Sequence, residues 1–241
     1  MFHPSHSTRR DFVSLTAQAG AGLLLIGTFG RAAQEKDQNA PIGDQDVSPP
    51  EDLMREHGVL KRVLLIYGEA LRRMEAKTEV PPDALADAAQ IIRSFIEDYH
   101  EKLEEDYLFP RFRKANKLVD LVQVLQTQHQ AGRQLTDVTL RLATAQGLQN
   151  PEDSAKLADS LRQFIRMYSP HEAREDTVLF PAFREIVSAQ EFDALGEQFE
   201  KKENQLFGQD GFEKTVDKVA GIEKKLGIYD LSQFTPTGVS G

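Results

Sequence analysis

The sequence of 241 residues contains no cysteine, no tryptophan and only 5 tyrosines. The lack of cysteine excludes disulfides, cysteine-ligated zinc, iron–sulfur clusters and thiol catalysis. Positive charge is also scarce, because 29 Lys and Arg face 38 Asp and Glu for a formal net charge of −9. A general nucleic-acid binder needs a basic surface, so we expect no nucleic-acid partner. Any chemistry in this chain therefore depends on histidine and carboxylate side chains.

The N-terminal segment lacks the apolar run of about 20 residues that a membrane-spanning helix needs. Arg9 and Arg10 precede an apolar stretch that glycines and polar residues interrupt. This arrangement resembles a twin-arginine export signal, and the resemblance implies export of the folded chain to the periplasm or beyond. We assign residues 1–33 to the signal and the polar residues 34–47 to a linker. After signal removal we expect no integral membrane domain; an uncleaved anchor or a chance basic N-terminus is the alternative.

Amphipathic periodicity predicts four long helices and no strand. Apolar residues recur three and four positions apart in each segment, which places them on one helix face. We expect the third helix to stop at Gly147 and Pro110 and Pro181 to kink or end their helices. Short connections between the helices predict an all-α fold, an antiparallel up-down four-helix bundle over residues 48–187. Residues 188–241 are predicted to form a C-terminal helical extension that ends in an extended tail from Gly227.

An internal repeat divides the bundle into two helical hairpins. The sequence Leu108-Phe109-Pro110 recurs 71 residues later as Leu179-Phe180-Pro181, and His57 and His129 lie 72 residues apart. The copy is imperfect, because Ser169 and Pro170 are inserted into the second half. Duplication of a hairpin predicts that the two halves meet about a pseudo-twofold axis.

The histidines outside the signal segment lie on the predicted inner faces of four different helices. They are His57, His100, His129 and His171. A single histidine on an apolar face is more often a hydrogen-bonded core residue, but four at repeat-related positions favour a shared site. This pattern predicts that all four side chains point to one place.

Two glutamates follow two of these histidines by one helical turn. Glu104 and Glu175 lie four residues after His100 and His171, on the same helix faces. A buried carboxylate needs a cation or hydrogen-bond donors. Imidazole and carboxylate ligands suit iron or manganese. The alternative is that the glutamates pair with arginines such as Arg133 or Arg174.

The sequence around these residues resembles the hemerythrin-like, or HHE cation-binding, domains. The matching segments are MREHGVL around His57, HEKLEEDYLFP from His100, QTQHQAG around His129, and HEAREDTVLFP from His171. The resemblance covers roughly residues 48–187 and implies a non-haem di-iron centre, oxo- or hydroxo-bridged, in preference to manganese or zinc. It also implies that His57 and His100 bind one iron, that His129 and His171 bind the other, and that Glu104 and Glu175 bridge the two.

Two departures separate this chain from the oxygen-carrying hemerythrins that it resembles. Arg133 stands where those proteins have a second histidine on the third helix, and Glu175 follows its histidine by four residues rather than five. The smaller number of imidazoles implies a further open coordination position, which favours reaction with small oxidants. Glu101 and Glu172 are either extra ligands or exposed helix residues, and we favour exposure.

Three functions remain open from the sequence. The first is a di-iron protein outside the cytoplasm that reacts with or binds dioxygen, peroxide or nitric oxide, as an enzyme, scavenger or sensor. The second is a module that carries or stores oxygen or iron without turnover. The third is a structural bundle that binds zinc or no metal. The expected partners are a small diatomic ligand or peroxide, and a homo-oligomer is left open.

Overall fold

Helices and their connecting turns make up residues 48–236, the part of the chain that the computed structural model describes, and no β-strand occurs among them. The predicted all-α fold is therefore confirmed. The predicted signal and linker lie outside the described residues. The helices are α1 (Pro49–Ala76), α2 (Pro82–Ile91), α3 (Glu101–Leu103), α4 (Phe109–Lys114), α5 (Val119–Leu142), α6 (Ala145–Gln149), α7 (Pro151–Arg174), α8 (Phe180–Phe183), α9 (Ala189–Phe207) and α10 (Gly211–Leu226).

Three π-helical segments join several of these helices into longer rods. They are Ile92–His100, Glu104–Leu108 and Glu175–Leu179. The second rod of the bundle thus runs over residues 82–114, and the fourth rod runs over residues 151–183. Together with α1 and α5 these rods form the predicted four-helix bundle, in which α7 packs against both α1 and α5.

Local sequence explains where the bundle helices begin. Ser48 and Glu51 form a capping box at the start of α1, and Pro49 and Pro50 follow the cap. The Oδ1 atom of Asn150 accepts hydrogen bonds from two backbone N–H groups in the first turn of α7. These caps satisfy amide groups that have no partner inside their own helix.

The third helix ends earlier than the sequence predicts. Helix α5 stops at Leu142, and Gly147 lies instead within the short helix α6. A Cβ atom at Gly147 would lie 2.2 Å from the carbonyl oxygen of Leu142. This glycine therefore allows a close approach of two backbone segments and does not end the long helix.

The helices do not end at the two prolines, so that part of the prediction is wrong; that the prolines kink their helices stays a prediction. Pro110 and Pro181 lie in the first turns of α4 and α8, and the rods continue through both positions. Each proline follows a π-helical segment. A proline has no N–H and crowds the carbonyl four residues earlier, and the wider π turn accommodates both defects.

The C-terminal helices pack on the bundle. Both α9 and α10 contact α1, and α10 also contacts α2. Leu195 and Phe199 of α9 and Val219 of α10 are buried in these contacts. The segment after Gly227 is not extended throughout, because Leu231–Phe234 forms a 3₁₀ turn. Across residues 48–236, every helix is too short or too polar to cross a bilayer.

Candidate metal centre

The four histidines and two glutamates predicted from the sequence converge in the bundle core, and none is more than 4% exposed. The Nε2 atoms of His57 and His100 lie 3.0 Å apart. Glu175 Oε2 lies 3.4 Å from His57 Nε2 and 3.2 Å from His171 Nε2. One glutamate oxygen therefore faces histidines from two different hairpins.

Glu104 occupies the equivalent position on the other side. Its Oε1 atom lies 3.9 Å from His100 Nε2, and its Oε2 atom lies 3.3 Å from His129 Nε2. Its two oxygens thus point toward different hairpins, as a bridging carboxylate requires. The side chains form two clusters with ligand atoms within 4.8 Å of one another, one of His57, His100 and Glu104 and one of His129, His171 and Glu175. The histidine pairs are those that the family resemblance implies; that these atoms ligate a metal stays a prediction.

Each histidine presents its Nε2 atom to the centre and uses its Nδ1 atom elsewhere. The Nδ1 contacts are His57 to Asp176 at 2.7 Å, His100 to Glu56 at 2.7 Å, His129 to Glu105 at 3.1 Å and His171 to Gln128 at 2.8 Å. A histidine that ligates a metal usually donates its other N–H to such an acceptor, which orients the ring and leaves the inner nitrogen free to bind. The outer contacts therefore favour metal coordination through Nε2.

These outer partners follow the internal repeat, and sequence analysis missed them. Glu56 and Gln128 directly precede the histidines of α1 and α5. Glu105 and Asp176 directly follow the two central glutamates. The signal in the sequence was a polar residue at repeat-related positions beside these ligand candidates. Periodicity along one helix does not indicate which residue of another helix such a side chain contacts.

The central glutamates lack the hydrogen bonds that buried carboxylates normally make. Both oxygens of Glu104, both oxygens of Glu175 and the Nε2 atom of His129 are buried without a hydrogen-bond partner among residues 48–236. In the described part of the chain, the ion-pair contacts of the two glutamates are with histidines alone, so the arginine alternative is wrong. Unpaired buried carboxylates are costly, and a bound cation would remove that cost. The residues therefore fit a divalent metal ion.

Protonation of the centre depends on burial and on neighbouring charge. Burial alone would lower the pKa of His57, but its contact with Asp176 and the nearby carboxylate of Glu175 outweigh that effect and raise the pKa to about 10. Burial and the nearby charge of Glu175 raise the pKa of Glu104 to about 8. Burial, and then the charge of His57, lower the pKa of His100 well below its usual value. A metal ion would therefore displace protons from this site when it binds.

Aromatic rings and π-helical turns shape the surroundings of the centre. Phe180 stacks on His57 and Phe109 stacks on His129, each with ring centroids 5.5 Å apart. That these rings close one end of a pocket stays a prediction. Two of the π-helical segments begin at the central glutamates. Such segments are frequent at functional sites, where they change the direction in which a side chain points.

Glu101 and Glu172 are not exposed, so the favoured interpretation of these two residues is wrong. Each is 1% exposed. Arg133 Nη2 lies 2.8 Å from Glu101 Oε2, and the hydroxyl of Tyr168 donates a hydrogen bond to Glu101 Oε1 at 2.6 Å. Arg133 also pairs with Glu105 at 2.8 Å. Its guanidinium thus lies among carboxylates beside the centre and not among the candidate ligands.

Comparison with known proteins supports the same assignment. The family model for the hemerythrin HHE cation-binding domain matches residues 48–147 and 120–224. The chain belongs to this family. The two matched segments begin 72 residues apart, the spacing that separates His57 from His129. This agreement supports the duplicated hairpin.

Proteins that are similar along nearly all of this sequence occur in mycobacteria. The chain is 49% identical over 237 residues to "Uncharacterized protein Mb2018" of Mycobacterium bovis and to "Uncharacterized protein Rv1995" of Mycobacterium tuberculosis. Each alignment covers 97% of this chain and 93% of the relative. No solved structure matches the chain.

Proposed function

We propose that this hemerythrin-like protein is a non-haem di-iron protein that reacts with a small oxidant outside the cytoplasm. The observation that carries the proposal is the pair of histidine–histidine–glutamate clusters, joined by two buried carboxylates that face both hairpins. Imidazole nitrogen and carboxylate oxygen are ligands that iron accepts in helical bundles. Two iron ions held there would supply electron exchange with dioxygen, peroxide or nitric oxide at an open coordination position.

The side chains around the centre support this chemistry by orientation and by exclusion of water. Asp176 and Glu56 fix the rings of His57 and His100 through their Nδ1 atoms. Phe109 and Phe180 stack on the imidazoles of His129 and His57. A dry, oriented site keeps bulk water from competing for an open position.

Metal analysis of protein purified from its own host tests the proposal. We expect about two irons per chain and an optical spectrum of a bridged ferric pair. His129→Ala should lower the iron content, whereas Glu197→Gln, an exposed change on α9, should leave it unaltered. Zinc alone, or well under one iron per chain, would contradict the proposal.

Rapid mixing of the reduced protein with peroxide or dioxygen tests reactivity. Oxidation of the iron with consumption of the oxidant supports the reactive role. A reversible adduct without consumption of the oxidant supports a carrier, the second function that the sequence left open. The two outcomes are distinguished by the amount of oxidant that remains after mixing.

Export is tested at the two arginines of the N-terminal segment. Replacement of Arg9 and Arg10 by lysine should leave the chain in the cytoplasm if the segment is a twin-arginine signal. Fractionation of cells that produce the wild-type and the substituted chain measures this. Equal amounts of both chains outside the cytoplasm would contradict the proposed route.

A further inference from the structure

Two ion pairs, each between a basic side chain and a buried glutamate, flank the candidate metal centre at repeat-related positions. Arg133 lies beside Glu101, and Lys61 lies beside Glu172. Each cation follows a candidate histidine ligand by four residues, and each glutamate directly follows another. The duplication relates the two pairs to each other, so the contacts around one pair can be compared directly with the contacts around the other.

The side that contains Arg133 is closed by a network of short contacts. Arg133 lies 2.8 Å from Glu101 and 2.8 Å from Glu105, and its side chain is 24% exposed. Lys102 holds Glu105 at 2.8 Å, and Tyr168 fills the space beside Glu101 with its hydroxyl hydrogen bond. To open this side, several ion pairs and a buried hydrogen bond would have to break together.

The side that contains Lys61 has few of these contacts. The Nζ atom of Lys61 lies 3.7 Å from Glu172 Oε1, and the lysine side chain is 58% exposed. The second oxygen of Glu172 is buried and has no hydrogen-bond partner in the part of the chain that the structure describes. Asp176, which orients His57, has a side chain 26% exposed, whereas the equivalent Glu105 is 10% exposed.

We propose that small ligands reach the candidate metal centre past Lys61, between Glu172 and Asp176, and that Lys61 is a movable cover on this route. The lysine side chain is more than half exposed, and its one ion pair within the described residues spans 3.7 Å, so it moves aside at little cost. The guanidinium of Arg133 does not move as easily, because its N–H donors bind two carboxylates at once. This inference rests on the proposed function for its ligand, a small uncharged molecule such as nitric oxide or hydrogen peroxide.

Ligand association with the iron-loaded protein tests the route. Nitric oxide binding to the reduced protein is followed by its optical change after rapid mixing. Lys61→Ala removes the cover and should raise the association rate about two- to fivefold, the factor that corresponds to the loss of a weak ion pair. Lys61→Arg should lower the rate, because a guanidinium can form paired hydrogen bonds with Glu172.

The matched control is Arg133→Lys, the same kind of change at the repeat-related position. It loosens the closed side and should leave the nitric oxide association rate as in the wild-type protein. A rate that rises with Arg133→Lys as much as with Lys61→Ala, or a rate that neither Lys61 variant changes, would overturn the inference. Thermal unfolding of each variant checks that the fold is intact.

A measurement on the metal-free protein separates this inference from the proposed function. Coupling of an amine to carboxylates by a water-soluble carbodiimide, read by mass spectrometry, reports which buried glutamates reagents can reach. We expect Glu172 to be labelled faster than Glu101, and faster still in Lys61→Ala. Equal labelling of the two glutamates overturns the route. An absence of bound iron overturns the di-iron proposal, and the labelling result still decides which side opens.

Discussion

Gly132 provides a test of the packing beside the candidate metal centre. This residue of α5 lies against Tyr168 of α7, and a Cβ atom built on it would lie 2.0 Å from the tyrosine hydroxyl oxygen and 2.8 Å from Cζ. Tyr168 is 1% exposed and lies between Phe164 and His171, with ring centroids 4.3 and 5.2 Å away. Its hydroxyl also donates to Glu101, so the ring cannot move away from the added Cβ atom without disturbing that hydrogen bond.

The cost of Gly132→Ala follows from these contacts. Overpacking of a filled core costs about 1–3 kcal/mol. Displacement of the Tyr168 hydroxyl leaves Glu101 without a buried hydrogen bond, which costs about another 1–3 kcal/mol. Alanine gains back at most about 1 kcal/mol of helix propensity over glycine. We therefore expect the free energy of unfolding to fall by about 1–6 kcal/mol.

Urea unfolding of the metal-free protein, followed by circular dichroism, measures this change. The matched control is Gly68→Ala in the interior of α1, where an added Cβ meets no atom of residues 48–236 within 4 Å. That variant should be as stable as the wild-type protein or more stable by up to about 1 kcal/mol. Adding Tyr168→Phe to Gly132→Ala removes the closest oxygen and should recover part of the loss. A Gly132→Ala variant at least as stable as the wild type would refute the reasoning.

Three further predictions concern the centre, a buried carboxylate and a helix cap. Asp176→Asn should weaken iron affinity about 10–100-fold, measured by chelator competition, because the acceptor that orients His57 loses its charge. Burial raises the pKa of Glu97 from 4.5 to about 7, so this carboxyl group loses its proton at lower pH in the unfolded chain than in the folded one. The free energy of unfolding should therefore fall as the pH rises from about 4.5 to 7. Glu97→Gln should make this pH dependence, measured by urea unfolding, less steep. Asn150→Ala removes two hydrogen bonds at the start of α7 and should cost about 1 kcal/mol of unfolding free energy.

Each of these predictions has a result that contradicts it. Unchanged iron affinity in Asp176→Asn would show that the Nδ1 contact does not orient a ligand. If Glu97→Gln and the wild type show the same pH dependence of unfolding free energy, a group other than Glu97 is responsible for it. Full stability of Asn150→Ala would show that water replaces the cap at no cost.

Much of the candidate site was accessible from the sequence because a helix repeats every 3.6 residues. That period puts Glu104 on the face of His100 and Glu175 on the face of His171. The duplicated spacing then predicts that the two faces meet. The structure brings all four side chains together with His57 and His129, as expected.

The contacts between helices were not accessible in the same way. The periodicity of a helix sequence indicates which face of that helix points inward. It does not indicate how far each helix is rotated or shifted against its neighbour. Glu101 directly follows His100, so an ordinary helix turn points it away from the ligand face and predicts exposure. In the fold, Arg133 and Tyr168 lie on that side and bury it.

By itself, the sequence determined the helical class, the duplication and the set of histidines and glutamates at the centre, because all three are written in residue type and spacing along single helices. Only the tertiary structure decided which acceptors contact the Nδ1 atoms of the histidines. It also decided that Arg133 forms two short ion pairs whereas Lys61 forms a longer one, and that Gly132 makes room for Tyr168. Those features join residues from different helices, and their distances depend on how the rods pack, which spacing along one helix does not specify.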